Sequence, residues 1–537
     1  MGALDGTGLS PDHLEIFREL VGQLYQKQWR NMLRRRYYDY KQGLRDLGIA
    51  IPPQMKTVET VLGWPAKSVD MLARRVVLEG LVLPDGDIDA FGWADIWRDN
   101  RLDVESDMYN RESMICSTAF ISVSRGDVSV GEPEVLILGR SAQDATGLWD
   151  PRRRGLSAAL SVVSVDKNGV PDYVIMYLPD RALAMRKYPD RVKWDITESR
   201  HNLGRVPVEP LPFMPSLRRP FGRSRISRPV MALTDSAVRT LLRSEVSAEF
   251  YSAPQRYVLG ANADDFTDAD GNPVAAWQAV LGRMLALGTD EDGNLPRVGQ
   301  FPQQSMEPHF AQLRGLAMAF AAETNLPVNA LGVIHDNPSS AEAMYAANQE
   351  LIMDAEYTAR SWGPAYESVA RMALMLRDAS PSALAEYRKI RAKWRNPATP
   401  SLASAADYTQ KLVASGVLHP DSEVTYDGLG FSEAQRETLR SEGRRRRAEA
   451  ILNGLGGSDA AGQPGDVPAS DEPIGESSAA DADDLKKKFD ALGIAIRAGV
   501  SPESALRLLG LEGVEMTGAV PVSLRMPEVE ADDLEQR

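Results

Sequence analysis

Cysteine is nearly absent: Cys116 stands alone in a chain of 537 residues. No internal disulfide can form, so the fold rests on core packing, as expected in a reducing compartment. Histidine is scarce as well. His13, His201, His309, His335 and His419 lie far apart, and none reaches another across a helical turn, so no short His-x-x-x-His metal site exists. No run of about 18 apolar residues occurs, so no membrane span is expected. The first residues carry Asp5, Asp12, Glu15 and Glu19 without an apolar core segment, so they do not read as a signal peptide. Cations are outnumbered: 61 Lys+Arg against 75 Asp+Glu leave a formal net charge of −14. A protein that grips nucleic acid over its whole surface would lean the other way. Signatures of common chemistries are missing too: G-x-x-x-x-G-K-[ST], G-x-S-x-G, H-E-x-x-H and C-x-x-C. Neither a resident cofactor nor a metal is expected.

What remains is an ordinary globular balance, with 43% hydrophobic and 25% charged residues. Its length suits several domains or one large layered subunit. Leu14, Phe17, Leu20, Val21, Leu24, Trp29 and Leu33 recur mostly at three- and four-residue steps, which predicts a helix over 13–35. Further helices are expected over 58–78 and 94–110. The pattern then turns β-branched and aromatic between Gly, Pro and Asp, predicting strands over 120–128, 134–138, 173–178 and 191–196 in a meander. LGRVPVEPLPF (203–213) reads as a proline-punctuated connector. Pro229 can open a helix reaching Phe250. Short strands are expected over 257–259 and 284–287, and a helix over 306–323. A loop (332–339) then leads into a long helix over 340–378, in which Gly363 and Pro364 predict a kink near Trp362. Helices over 403–415 and 432–452 follow. Residues 456–484 are Gly, Pro, Ser, Ala and acid without Lys or Arg, a linker composition, and a small helical element is expected over 485–509.

Several segments invite a functional reading. Asp264, Asp265, Asp268, Asp270 and Gly271 resemble half a calcium loop. However, Phe266 falls on the first ligand position and Trp277 where a bidentate glutamate belongs, so a solvated turn is the better account. Asp290, Glu291 and Asp292 are read the same way. Arg34, Arg35 and Arg36, with Tyr37, Tyr38 and Tyr40, could hold phosphate and stack on bases. A helix C-terminus, where cations balance the macrodipole and tyrosines anchor a domain edge, accounts for them more simply. Arg152–Arg154 suit an ordinary loop, the arginines at 444–447 a solvated helix face, and Trp93, Trp97 and Tyr109 a core stripe. His335 has no partner in sequence and reads as exposed; with Asp336, Asn337 and Ser339 it makes a loop that could touch something weakly.

Segments in fixed order carry a family likeness: RYYDY (36–40), LGRVPVEPLPF (203–213), FGRSRIS (221–227), EFYSAPQRYVLG (249–260), LPVNALGVIHDNPSSAEAMYAANQELI (326–352) and KWRNPATPSLASAADYTQKLVASGVL (393–418). Over roughly residues 10–455 the sequence resembles the portal (head-to-tail connector) proteins of tailed bacteriophages, particularly phages of actinobacteria. NPSSAEAM (337–344), leading into the long helix, is the most specific stretch.

The resemblance implies an α+β portal-type subunit with a helical and mixed wing, a two-helix stem, a small α/β clip, a long kinked helix and a helical crown. On this chain the wing covers 1–228, the first stem helix 229–250, the clip 251–305 and the returning stem helix 306–326. The tunnel loop and long kinked helix cover 327–399 and the crown 400–455. The linker (456–484) and the C-terminal element (485–537) lie outside the likeness. It further implies a homo-oligomeric ring of about twelve subunits at one capsid vertex, a channel for DNA packaging and ejection. Implied partners are double-stranded DNA in the channel, the terminase large subunit, a head-tail adaptor, and the major capsid and scaffolding proteins. The implied place is the virion, after assembly in the host cytoplasm, with no membrane. The DNA-facing loop would be Val333, Ile334, His335, Asp336, Asn337 and Ser339. A portal-family loop often has a Gly before the long helix; Pro338-Ser339-Ser340 stand there instead. No catalytic residue follows from the likeness. The competing classes are a DNA-binding adaptor outside the portal family and a hydrolase using scattered carboxylates.

Overall fold

The computed structural model describes residues 8–43, 60–84, 86–188, 194–252, 256–260, 297–300, 305–332, 341–398, 402–431, 433–455 and residue 507. The chain divides into two units, Met1–Ser404 and Ala405–Arg537. The expected strand over 284–287, the half calcium loop, the acids at 290–292, the linker and nearly all of the helical element expected over 485–509 lie outside the described residues.

The first unit opens with α1 (Pro11–Tyr38), whose Ser10 side chain accepts from the His13 N–H and whose proline stands in the first turn. Then come α2 (Trp64–Ala73), β1 (Leu78–Val82), α3 (Trp93–Asp99) and α4 (Leu102–Cys116). The helix expected over 58–78 is therefore shorter: it runs from Trp64 to Ala73, and a turn then leads into β1 at Leu78. The helix expected over 94–110 is two helices. Arg101 takes a left-handed φ of 48° between them, and buried Asn100 explains the break. Its side chain donates to Ile96 O at 2.9 Å and Val135 O at 2.8 Å and accepts from Ile137 N at 2.8 Å, splicing the helix end onto a strand edge.

Eight strands follow: β2 (Thr118–Arg125), β3 (Val135–Ser141), β4 (Ala145–Asp150), β5 (Gly155–Val165), β6 (Pro171–Tyr177), β7 (Arg181–Arg186), β8 (Asp195–Arg200) and β9 (Val208–Pro212). β4 to β8 form an antiparallel meander in chain order, and β3-β2-β9 form a second sheet. The proline-rich connector is thus an edge strand. Pro210 and Pro212 sit on alternate positions, while Phe213 N–H donates to Ser117 O at 2.9 Å, so the ladder runs on the residues between the prolines. α1 lays Phe17, Leu20 and Leu24 on the meander against Leu160, Val174, Met176 and Met185.

α5 (Arg228–Ser252) leaves this body, β10 (Arg256–Leu259) pairs antiparallel with β11 (Arg297–Gln300), and α6 (Glu307–Thr324) returns. α7 (Ala341–Arg377), α8 (Pro381–Tyr387) and β12 (Arg391–Trp394) close the unit, β12 pairing with β1. Trp362, Ala370, Ala373 and Leu374 on α7 are fully buried in the main core, with Ile121 of β2 and Leu211 of β9. The second unit takes up most of α9 (Leu402–Ala414), then α10 (Glu423–Gly428) and α11 (Glu433–Leu455). There Arg436 clasps the turn between α10 and α11, pairing with Asp427 and donating from Nε to Phe431 O at 2.8 Å.

Candidate functional site

The residues expected to face DNA, Val333, Ile334, His335, Asp336, Asn337 and Ser339, lie outside the described residues. Their frame does not. α6 ends on Asn325 at a left-handed φ of 52°, its N–H bonded to Ala321 O. A short 3-10 turn, Val328–Leu331, follows, ending on Gly332 at φ 72°. That turn buries Leu331 and leaves Gly332 exposed. On the far side the chain re-enters helix at Ala341.

One buried cation ties both flanks together. The Arg225 side chain, 5% exposed, pairs with Asp354 of α7 at 3.2 Å, and donates to Thr324 O at the end of α6 and to Ser68 O in α2 at 2.5 and 2.8 Å. Asn325 Nδ2 reaches the same Asp354 oxygen at 3.2 Å. Burial pulls the Arg225 guanidinium below its ordinary pKa and Asp354 pulls it back. Each of the three nitrogens of the fork is engaged, which makes the joint rigid.

α5 and α6 are antiparallel. Ser227 Oγ, just before α5, donates to Glu323 Oε1 near the end of α6 at 3.1 Å. Ser247, near the end of α5, meets His309, near the start of α6, at 3.2 Å. The two helices therefore form one out-and-back arm capped by the β10/β11 ribbon. α7 continues through Gly363 and Pro364 as a single helix of 37 residues, about 56 Å long. Pro364 has no N–H to give, so Arg360 O loses its partner one turn back. Trp362, fully buried, fixes this turn by donating to Pro212 O at 2.7 Å. Gly363 is not forced by space: a Cβ there would meet only ordinary contacts with Trp394 and Ala392.

The basic-aromatic run at the end of α1 divides. Tyr37 OH donates to Asp235 at 2.9 Å and Tyr38 OH to Asp70 at 2.8 Å, both phenols pushed up by burial and by those carboxylates. Arg35 pairs with Glu112 and lies over the Tyr38 ring. These three are anchors, as the simpler reading expects. Arg34 has no carboxylate partner among the described residues and bonds only to Asn31 Oδ1, at 3.2 Å. Trp93 and Tyr109 are buried core, and Trp97 packs against them. Arg152–Arg154 form the β4–β5 turn, with Asp150 Oδ1 accepting from Arg152 N at 2.9 Å. Arg446 pairs along α11 with Glu442 at 3.5 Å. Among the described residues, no group of three or more His, Cys, Asp or Glu could hold a metal ion. None of their helices is long and apolar enough to cross a membrane.

Sequence reasoning missed the Arg225 joint and Asn100. Arg225 reaches partners 157, 129 and 99 residues away, and no local pattern could pair them.

Comparison with known proteins bears on this architecture. The family described as "Phage portal protein, SPP1 Gp6-like" matches residues 23–422. The portal protein of Mycobacterium phage D29 is 29% identical over 417 residues, covering 75% of this chain and 83% of that relative. That of Mycobacterium phage L5 is 29% identical over 416 residues with the same coverage. A solved structure titled "Neck of native GTA particle computed with C12 symmetry" is similar at TM-score 0.36 and 15% identity, over 69% of this chain and 90% of that one. "Neck of empty GTA particle computed with C6 symmetry" is similar at TM-score 0.37, with the same identity and coverage. The family match runs from within α1, through the helical arm and the whole of α7 and α9, to the start of α10, and on that extent the chain belongs to the phage portal protein family.

Proposed function

We propose that copies of this portal protein close into a ring whose lumen carries double-stranded DNA during packaging and ejection. The observation that carries this reading is the family match over residues 23–422. The geometry is in keeping with it: an antiparallel arm (α5, α6) ends in a ribbon and returns to residues 333–340, which open the long α7. In this reading the arm is the stem and the ribbon region is the clip. The clip meets the terminase first and the head-tail adaptor afterwards. Residues 333–340 line the bore, and Pro364 bends α7 across the wing. The chain has no catalytic role of its own, and the packaging ATPase supplies the work.

The arm and α7 suit a bore that must not hold its cargo. Several of their cations are already engaged: Arg314 with Glu307 at 2.9 Å, Arg377 with Glu134 at 3.0 Å, and Arg371 Nε with Glu367 O at 3.1 Å. Each phosphate neutralised would add affinity, multiplied around a ring. A sparsely basic lining repels the duplex from all sides and centres it.

Negative-stain microscopy of the purified chain tests the ring: annular particles with a duplex-wide hole are expected, and compact single chains at every concentration would sink it. The loop has its own test. Asp336→Arg with Asn337→Arg leaves rings intact and slows or stalls packaging. Normal packaging by that variant would move the DNA-facing role elsewhere.

A further inference from the structure

Between β9 and α5 the chain makes a hairpin that the portal reading does not use. Ser216 and Arg219 exchange backbone bonds, N to O at 3.1 and 2.8 Å, and Arg223 N returns to Phe213 O at 2.8 Å, closing the loop on itself. Two residues in it take left-handed backbone, Met214 at φ 46° and Gly222 at φ 70°. A Cβ on Gly222 would lie 2.1 Å from Phe213 O, so only glycine closes the base. Non-glycine strain of this kind persists where the surroundings over-determine it, often at ligand clamps.

The hairpin presents Arg218, Arg219 and Arg223 over an open cleft of about 660 Å³, with Tyr357 of α7 on its lining. Arg34 of α1 lies close enough to feel the charges of Arg219 and of Arg30, one helical turn away. Three guanidinium groups line the cleft, with Arg34 beside them. Among the described residues none of these has a carboxylate partner, and the Arg223 guanidinium finds only the Met214 sulfur, at 3.4 Å. This is unusual in a chain with a net charge of −14, where Arg35, Arg111, Arg181, Arg205, Arg225 and Arg377 are each paired with an acid.

We propose that this arginine cleft binds the phosphodiester backbone of DNA, at a site distinct from the loop at 333–340. A row of planar forks with no acid interleaved matches successive phosphates, each able to take two parallel hydrogen bonds. Tyr357, half exposed, offers a ring face or hydroxyl to the adjoining sugar or base. Three of the seven residues lining this cleft are arginines and none is acidic, which favours a repeating anion over the mixed charge of a protein face. The hairpin is closed before the ligand arrives, so little ordering cost falls on binding. The inference adds to the channel reading a place where the duplex is held rather than repelled.

The test is fluorescence anisotropy with a short labelled DNA duplex over a salt series, on wild type and on Arg218→Gln/Arg219→Gln/Arg223→Gln, with particle mass measured in parallel. The variant is expected to bind at least tenfold more weakly, and the slope of log K against log salt falls by about 2–3, roughly 0.9 for each phosphate that is no longer neutralised. The triple Lys variant keeps most of that slope. Unchanged affinity and slope overturn the proposal. So does a variant that loses its rings while the wild type barely binds duplex, which would make the cleft a subunit interface. Polyglutamate displacing the duplex at equal charge concentration would also overturn it, marking an acidic-protein site. Failure of the wild type to form rings bears on the channel reading alone, because duplex binding is read on whatever oligomer is present.

Discussion

Arg225 is one residue that joins three helices of the first unit. It meets α2, the end of α6 and α7 at once, and its partner Asp354 is also largely buried. Removing one member of such a pair strands the other charge and leaves two carbonyls without donors. Arg225→Met is therefore expected to cost roughly 3–5 kcal/mol, read as a large fall in thermal midpoint. Arg225→Met with Asp354→Leu should recover part of the loss, because the stranded carboxylate is gone; a double variant no better than the single would deny the pairing. Gly139 makes a second residue-level case. A Cβ there would lie 2.0 Å from Tyr109 Cε1, and Tyr109, on the buried face of α4, is only 5% exposed. Gly139→Ala should destabilise by about 1–3 kcal/mol through overpacking, and Tyr109→Leu in the same chain should relieve most of it. Neither residue could be singled out from the sequence, because its constraint is set by atoms far along the chain.

The link between β9 and α7 depends on protonation. Glu209 of β9 pairs with Arg205 at 2.5 Å and accepts from Ser368 Oγ of α7 at 2.8 Å. Burial pushes its carboxyl above the ordinary range, partly offset by Arg205, Ser368 and Arg371. A carboxyl raised in the folded state favours folding while protonated. Its contribution is fully present below the unfolded value, about 4.3, and is lost as pH rises through the folded value. Glu209→Gln stays neutral throughout. The thermal midpoint of wild type minus that of the variant should thus fall as pH rises from mildly acidic to neutral, and a flat difference would contradict the shift. At this scale the sequence is readable where periodicity is strong. α1, α5, α6 and α7 follow their apolar spacing to within a few residues. The meander is half legible. β6 follows its β-branched and aromatic pattern, but β7 is built from Arg, Ala, Leu and Met and much of β5 from Ala, Ser and Leu, whose pairing is decided by neighbouring strands rather than by propensity. β9 is hidden by its prolines until the edge position is known. The candidate loop is legible only as a composition between two helices; its frame is set by Asn325, Gly332 and the Arg225 joint, which no local pattern reveals.

In the whole molecule, apolar side chains stand exposed on α6 and α7, as they also do on α1 at Trp29 and on α4 at Val104. α6 exposes Phe310 and Met318, and α7 exposes Met353 beside Tyr357, whereas the body of the first unit is closed by the large core around Trp362 and Ile121. In the ring reading those faces are buried by neighbouring copies, through a head-to-tail interface that repeats until it closes. Local opening free energy should then differ sharply between assembly states. Amide exchange in α5 and α6 is expected to slow roughly tenfold or more on going from single chains to rings, which is about 1.4 kcal/mol of added protection. The central meander strands β5 and β6 should exchange alike in both states, because α1 already seals them within one chain. Equal protection of α5 and α6 in the two states would mean that neighbouring copies meet through other surfaces, and a general slowing that included β5 and β6 would point to global stabilisation rather than to burial of the arm.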